Sequence, residues 1–304
     1  MYYLIHLSAF TLSRLPAWLS NALARGLGLF IYYVIPIRRK VVWENINRVY
    51  GDTISTAEKR QIAIKSYQTL AIVGIEVLRL RYVAKEKLLS QISVRGQEHL
   101  DNALAQKKGV IVFAGHFGNI LSCGCAEAAR GVPVHVIAKD LRNQAAQRFY
   151  FETMQRFGVR RIPTRRSKEQ ITAALSQGHA VYIAVDQHMP AHRGLICNFF
   201  GQLASTTPAP TRFALETQAI LIPCQTAILA EAGKHEIGYR EEFSLNIVGD
   251  KDEILRENTE RINRIIETDL KRLPGQWLWQ HKRWKAHDKP EDWNIPKDLL
   301  KLLK

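Results

Sequence analysis

The sequence predicts an α/β fold: a mostly parallel central sheet flanked by helices, preceded by an N-terminal helical membrane-associating segment. Three observations carry this reading. From residue 97, apolar runs of strand length alternate with stretches of helical periodicity, the pattern of a parallel sheet covered on both faces. Val110 to Ala114 is an uninterrupted run of five apolar residues, which reads as a strand buried on both sides. Residues 1–37 are rich in apolar and aromatic side chains, interrupted by Arg14, Pro16 and Arg25.

In chain order, residues 1–40 form the first unit. Gly26 to Ile37 is uncharged for twelve residues and ends at Arg38-Arg39-Lys40. Twelve is short of the roughly 20 residues a spanning helix needs. Extension back to Leu15 reaches that length but includes Arg25. No small-residue cleavage site comes after the run, so a removed signal peptide is not expected. A retained anchor is expected, either a tilted span or an interfacial hairpin; a buried helix pair is the other reading. The basic residues 38–40 put the rest of the chain on the cytoplasmic side.

Residues 41–95 read as a helical lead-in. Ser55-Thr-Ala-Glu58 has the form of a capping box opening a long helix to about Arg81. Leu70, Val73, Ile75 and Leu78 supply its apolar side. Ile92 to Arg95 reads as a strand. Residues 96–285 read as the α/β domain, with strands at 110–114, 134–138, 159–162, 180–185 and 219–228, and helices between them. His235 to Val248 alternates like an edge strand. Glu253 to Leu273 reads as an amphipathic helix. Residues 286–304 form a polar, Pro-interrupted tail ending in a short helix.

Composition narrows the function classes. The 304 residues carry a net charge of +15, which implies a polyanionic partner or surface. No nucleic-acid-binding signature accompanies that charge. Anionic lipid headgroups or an acidic acyl carrier protein remain. Cys123, Cys125, Cys197 and Cys224 form no CxxC pair, and read as free buried thiols of a reducing compartment.

Candidate chemistry begins at His116, where the 110–114 strand ends and a helix begins. In an open α/β sheet, ligands bind beyond the carboxyl ends of the strands. A histidine there has a pKa suited to taking a proton from a hydroxyl; a hydrogen-bonded structural role is the plainer alternative. Val181 to Val185 delivers Asp186-Gln187-His188 to the same edge if the two strands run parallel. Asp186 there either approaches His116 or caps a loop. Ser205, Thr206 and Thr207 precede a helix, where hydroxyls and free amides suit a phosphate or carbonyl oxygen. Arg160, Arg161, Arg165, Arg166 and Lys168 form a basic cluster beside the crevice, or a solvated face.

Gly115-His116-Phe117-Gly118-Asn119 resembles the signature of the lipid A biosynthesis (late) acyltransferases, within the lysophospholipid acyltransferase superfamily. Three further stretches carry the likeness: Phe199-Phe200-Gly201 through Ser205-Thr206-Thr207, Leu221-Ile222-Pro223, and Pro274 through Trp277, Trp279 and the His281–Lys285 basic run. The resemblance implies acyl transfer from a thioester on acyl carrier protein or coenzyme A to a glycolipid hydroxyl, at the cytoplasmic face of a bacterial inner membrane. His116 would be the general base, and amides near Gly118 and Asn119 the oxyanion donors. Gln187, Ser205, Thr206 and Thr207 would line the substrate site. Lys139, Asn143, Arg156, Arg165, Arg166, His281 and Arg283 would meet a headgroup or carrier, and the three tryptophans of the last stretch a membrane interface. No cofactor or metal is implied. The family's usual acid, five residues after the His, is here Leu121. Three readings are open: Asp186 takes the acid's role, the acceptor is a more nucleophilic amine, or the chain binds lipid or carrier without turnover.

Overall fold

The computed structural model describes residues 1–303. Five helices come first: α1 (Tyr2–Arg14), α2 (Ala17–Tyr33), α3 (Arg39–Tyr50), α4 (Thr56–Leu80) and α5 (Lys85–Gln91). The chain then alternates through β1 (Ile92–Arg95), α6 (Gln97–Ala105), β2 (Val110–Ala114), α7 (Ile120–Arg130), β3 (Val134–Ala138), α8 (Gln144–Arg156), β4 (Arg160–Pro163), α9 (Lys168–Ser176) and β5 (Ala180–Ala184). A hairpin comes next, β6 (Leu195–Phe199) and β7 (Gln202–Thr206). After it come α10 (Ala209–Thr217), β8 (Ile220–Ile228), β9 (His235–Tyr239), α11 (Lys251–Arg272) and α12 (Lys285–Asp288).

Seven strands form one sheet in the order β1-β9-β8-β2-β5-β3-β4. The five from β8 to β4 run parallel. β9 runs against β8 and alongside β1. The stretch from His235 is therefore not an edge: β9 stops at Tyr239 and lies inside the sheet, and β1 takes the edge.

β2 sits near the middle and shows why an unbroken apolar run suits it. Ile111 and Phe113 pack with Val181, Ile183, Leu221 and the buried residues of α9, α10 and α11. Val110 and Val112 face the opposite layer, with α6, α7 and α8. Side chains that alternate across a strand must then be apolar at every position. The cysteines are all buried and free.

The β6–β7 hairpin forms a separate two-stranded sheet that the periodicity argument does not predict. Its signal is present all the same. Phe200-Gly201 separates two alternating runs, and both residues have positive φ, 53° and 68°, as a tight hairpin turn demands. The C-terminal segment covers this hairpin: Leu299 and Ala286 pack on Ile196 and Leu203.

Among the described residues no helix is long and apolar enough to cross a membrane. Pro16 at the N-cap of α2 divides the apolar stretch into two short helices. Nor is the pair buried. Ala24, Gly28 and Tyr32 bury one side of α2, while Leu4, Leu7, Trp18, Leu23, Leu27 and Phe30 remain exposed. The basic residues after α2 are partly spent inside the protein, since Arg38 donates to the Gln280 carbonyl and Arg39 to that of Tyr32. Ser55 and Glu58 form the expected capping box at the start of α4.

Gly28 marks the closest approach of α2 to α4. A Cβ there would lie 2.5 Å from the Gln68 Cα, and neither backbone can yield independently. Gly28→Ala is expected to destabilise the protein by about 1–3 kcal/mol, the usual cost of overpacking, read as a lowered thermal unfolding midpoint.

Candidate active site

Parallel pairing of β2 and β5, Ala114 opposite Ala184, brings the two strand ends to one edge. The residues just beyond them meet there. His116 Nδ1 lies 2.7 Å from Asp186 Oδ1, and the His116 backbone amide donates to Asp186 Oδ2 at 2.8 Å. The carboxylate is a buried acceptor, so Nδ1 carries the proton and Nε2 presents its lone pair. Gln187 Nε2 stands 3.4 Å from that Nε2. The imidazole side chain is 26% exposed, the Asp186 side chain 2%.

A third donor comes from far along the chain. The Trp277 indole N–H reaches Asp186 Oδ2 at 2.6 Å. Burial alone would raise the Asp186 pKa. The charge of His116, its ring and amide hydrogen bonds and the Trp277 bond outweigh burial and hold the carboxyl at about 2. Burial likewise pushes His116 down, but the adjacent carboxylate wins and its pKa is raised.

The turn that carries His116 is laid along residues 276–278. Leu278 N–H donates to the His116 carbonyl, Gly118 N–H to that of Gln276, and Phe117 bridges Trp277. The three tryptophans are thus not at an interface. Trp277, Trp279 and Trp284 are all buried, each indole N–H bonded to an internal acceptor, as buried indoles require.

Several expected site residues lie elsewhere. The Gly118 amide is committed to Gln276 and does not serve an oxyanion. The Asn119 side chain caps α7 through Ser122 N–H and donates to Glu76 Oε2 at 2.8 Å. The amides of Asn119, Ile120 and Leu121 have no acceptor among the described residues. Ser205 and Thr206 are buried on β7, not at a helix start. Thr206 Oγ1 accepts from Arg283 at 2.5 Å. Thr207 accepts from the Ala209 amide at the head of α10.

Arg283 is fully buried, donating to the Ser205 carbonyl and lying over the Phe199 ring. Burial pushes it down to about 10, so it stays charged but meets no external headgroup. His281 accepts the His188 amide through Nε2, and burial lowers its pKa to about 4. It is neutral and offers no cation. Arg156, in the last turn of α8, ties that helix to the Val83 carbonyl, away from the β2 and β5 ends. Asn143 caps α8. Lys139, Arg165 and Arg166 lie in the loops after β3 and β4, with Arg165 and Arg166 at the surface. The wider basic cluster is divided: Arg161 pairs with Asp140, Lys168 with Glu216.

Leu121 packs in the apolar layer around Cys123 and Cys125. Glu127 pairs with Arg130 on α7. From the sequence alone, Trp277 has a different expected role and Glu76 none. Trp277 is legible as an indole in need of an acceptor. Glu76 stands in helical register with Ile72 and Leu80 on α4, a carboxylate on an otherwise apolar face. It pairs with His235 at 3.3 Å besides accepting from Asn119. Asn119→Ala removes the cap of α7 and takes one donor from Glu76 Oε2. An expected loss of about 1–2 kcal/mol is measurable by denaturant unfolding.

Comparison with known proteins places the chain among acyltransferases. Residues 1–286 match the family described as bacterial lipid A biosynthesis acyltransferase. A lipid A biosynthesis acyltransferase of Haemophilus influenzae is 24% identical over 268 residues, covering 88% of this chain and 82% of that protein. A lipid A biosynthesis lauroyltransferase of Escherichia coli is 20% identical over 275 residues, 90% and 87% of the two chains. A phosphatidylinositol mannoside acyltransferase of Mycobacterium tuberculosis is 25% identical over 154 residues, 49% and 48%. On the match across nearly its whole length, the chain belongs to the bacterial lipid A biosynthesis acyltransferase family.

Proposed function

We propose that this acyltransferase moves a fatty acyl group from the thioester of an acidic acyl carrier protein to a hydroxyl of a lipid A-type glycolipid, with His116 as general base. The observation that carries the reading is the contact of His116 Nδ1 with the ionised Asp186. With Nδ1–H on the carboxylate, Nε2 is the base. An acceptor hydroxyl replaces the Gln187 amide beside it and gives up its proton as its oxygen attacks the thioester carbonyl. Asp186 fixes the tautomer and stabilises the imidazolium, as a carboxylate does in related His-based acyl transfer. The C–O bond forms, the C–S bond breaks, and Nε2 returns the proton to the departing thiolate. The unpartnered amides of Asn119, Ile120 and Leu121 at the head of α7 are the donors for the oxyanion.

Asp186 thus takes the role that Leu121 cannot. An amine acceptor is not needed, because the base is oriented. A net charge of +15 favours an acidic carrier protein as donor and an anionic membrane surface as the place of reaction. The exposed apolar side chains of α1 and α2 suit seating in the interface rather than crossing it. The seat we propose is the cytoplasmic face of a bacterial inner membrane.

His116→Ala is expected to lower acyl transfer by about 10²–10⁴-fold, measured with purified membranes and acyl carrier protein thioester. A trace product level that the substitution leaves unchanged would favour binding without turnover instead. The base acts when neutral, so kcat/KM should rise with pH through a His116 pKa above the ordinary 6.5 and level off above it. Asp186→Asn removes the charge that raises this pKa. The midpoint should then move to lower pH while the plateau rate falls.

A further inference from the structure

A cavity of about 600 Å³ opens between α2, α4, the end of β8 and the end of α11. That size falls within the roughly 300–1,000 Å³ of small-ligand sites. Four cations line it: Arg25 from α2, Lys65 from α4, and Lys271 and Arg272 from the last turn of α11. Among the described residues none of the four forms an ion pair with a carboxylate. Arg25 bonds only the neutral Asn21 side chain. The single acid in the lining, Glu58, is engaged by Ser55 in the capping box of α4. Gln61, Gln68 and Thr69 add neutral polar groups, and Ile54, Ile62, Leu229 and Leu273 an apolar wall.

Within the lining, four cations from three helices stand against one engaged acid, and outside it Glu267 and Asp269 face Lys271 and Arg272 from the same helix, with the Lys271 ammonium 5.8 Å from the Phe200 ring. The cavity also adjoins the candidate site. Gln276 lines it, clasps Ile228 through two side-chain bonds of 2.7 and 2.9 Å, and accepts the Gly118 amide through its carbonyl at 3.1 Å. One hydrogen-bonded layer therefore separates the cavity from the turn that carries His116.

We propose that this cavity is an anion site for a phosphate ester carried on an uncharged or apolar body, held by Arg25, Lys65, Lys271 and Arg272. A phosphate presents several acceptor oxygens at once, which matches a mixture of ammonium and guanidinium donors arriving from different elements. The apolar wall takes the rest of the molecule. The inference deepens the acyl-transfer reading and rests on it for its place in the reaction. The binding itself is measured without turnover.

Inorganic phosphate titrated calorimetrically into the full-length protein in uncharged detergent is expected to bind saturably. Lys65→Gln/Lys271→Gln is expected to weaken that binding about tenfold or more, the loss of charge-assisted hydrogen bonds. Lys251→Gln, at the opposite end of α11, should leave it unchanged. Phosphatidylcholine vesicles with phosphatidic acid should compete with inorganic phosphate, and pure phosphatidylcholine vesicles should not, if the source is a lipid headgroup. If the source is the phosphate of a soluble donor, neither vesicle competes and phosphate inhibition is competitive with the donor. His116→Ala protein should bind phosphate like the wild type, so loss of turnover and loss of this site are read separately. Absence of phosphate binding, or an equal loss in Lys251→Gln, overturns the proposal.

Discussion

One buried carboxylate constrains the rest. Asp186 lies almost wholly out of solvent, and an ionised side chain there is costly without donors. It has three, from the His116 ring, the His116 amide and the Trp277 indole. Two belong to the turn after β2, and the third lies 91 residues beyond Asp186 itself. The carboxylate is therefore charged and buried at once only when β2, β5 and the Trp277 segment are all in place.

The same requirement explains the tryptophan-rich segment. It runs beside the His116 turn and supplies backbone partners for residues 116–118. Its further members, Trp284 and Arg283, then lock onto the β6–β7 hairpin through the Phe199 and Ser205 carbonyls. A guanidinium buried among neutral acceptors is a structural clamp, not a headgroup contact. The basic residues around the site thus divide into two kinds. Some are internal fasteners, such as Arg38, Arg39 and Arg283. Others, such as Lys65 and Lys271, are exposed and form no ion pair among the described residues.

How far the site is readable in advance depends on the range of each interaction. His116 and Asp186 are legible because strand ends are local features and parallel neighbours finish at one edge. Leu121 points away from the usual acid, but no local rule selects Asp186 over capping a loop. Thr206 and Arg283 are misplaced by sequence because their residue types suit substrate contacts equally well. Only the β7 register turns Thr206 inward against Arg283. The hairpin itself is easily overlooked although Phe200-Gly201 marks its turn.

The alternation of buried strands and amphipathic helices, the doubly covered β2, the Ser55 capping box and the place of His116 arise from period and local chemistry in the chain alone. Which acid meets the imidazole, where the tryptophans go, that β9 lies inside the sheet and that Arg283 is enclosed were decided by the packed molecule. These depend on side chains tens to hundreds of residues apart satisfying one another once water is excluded, and no local pattern encodes that pairing.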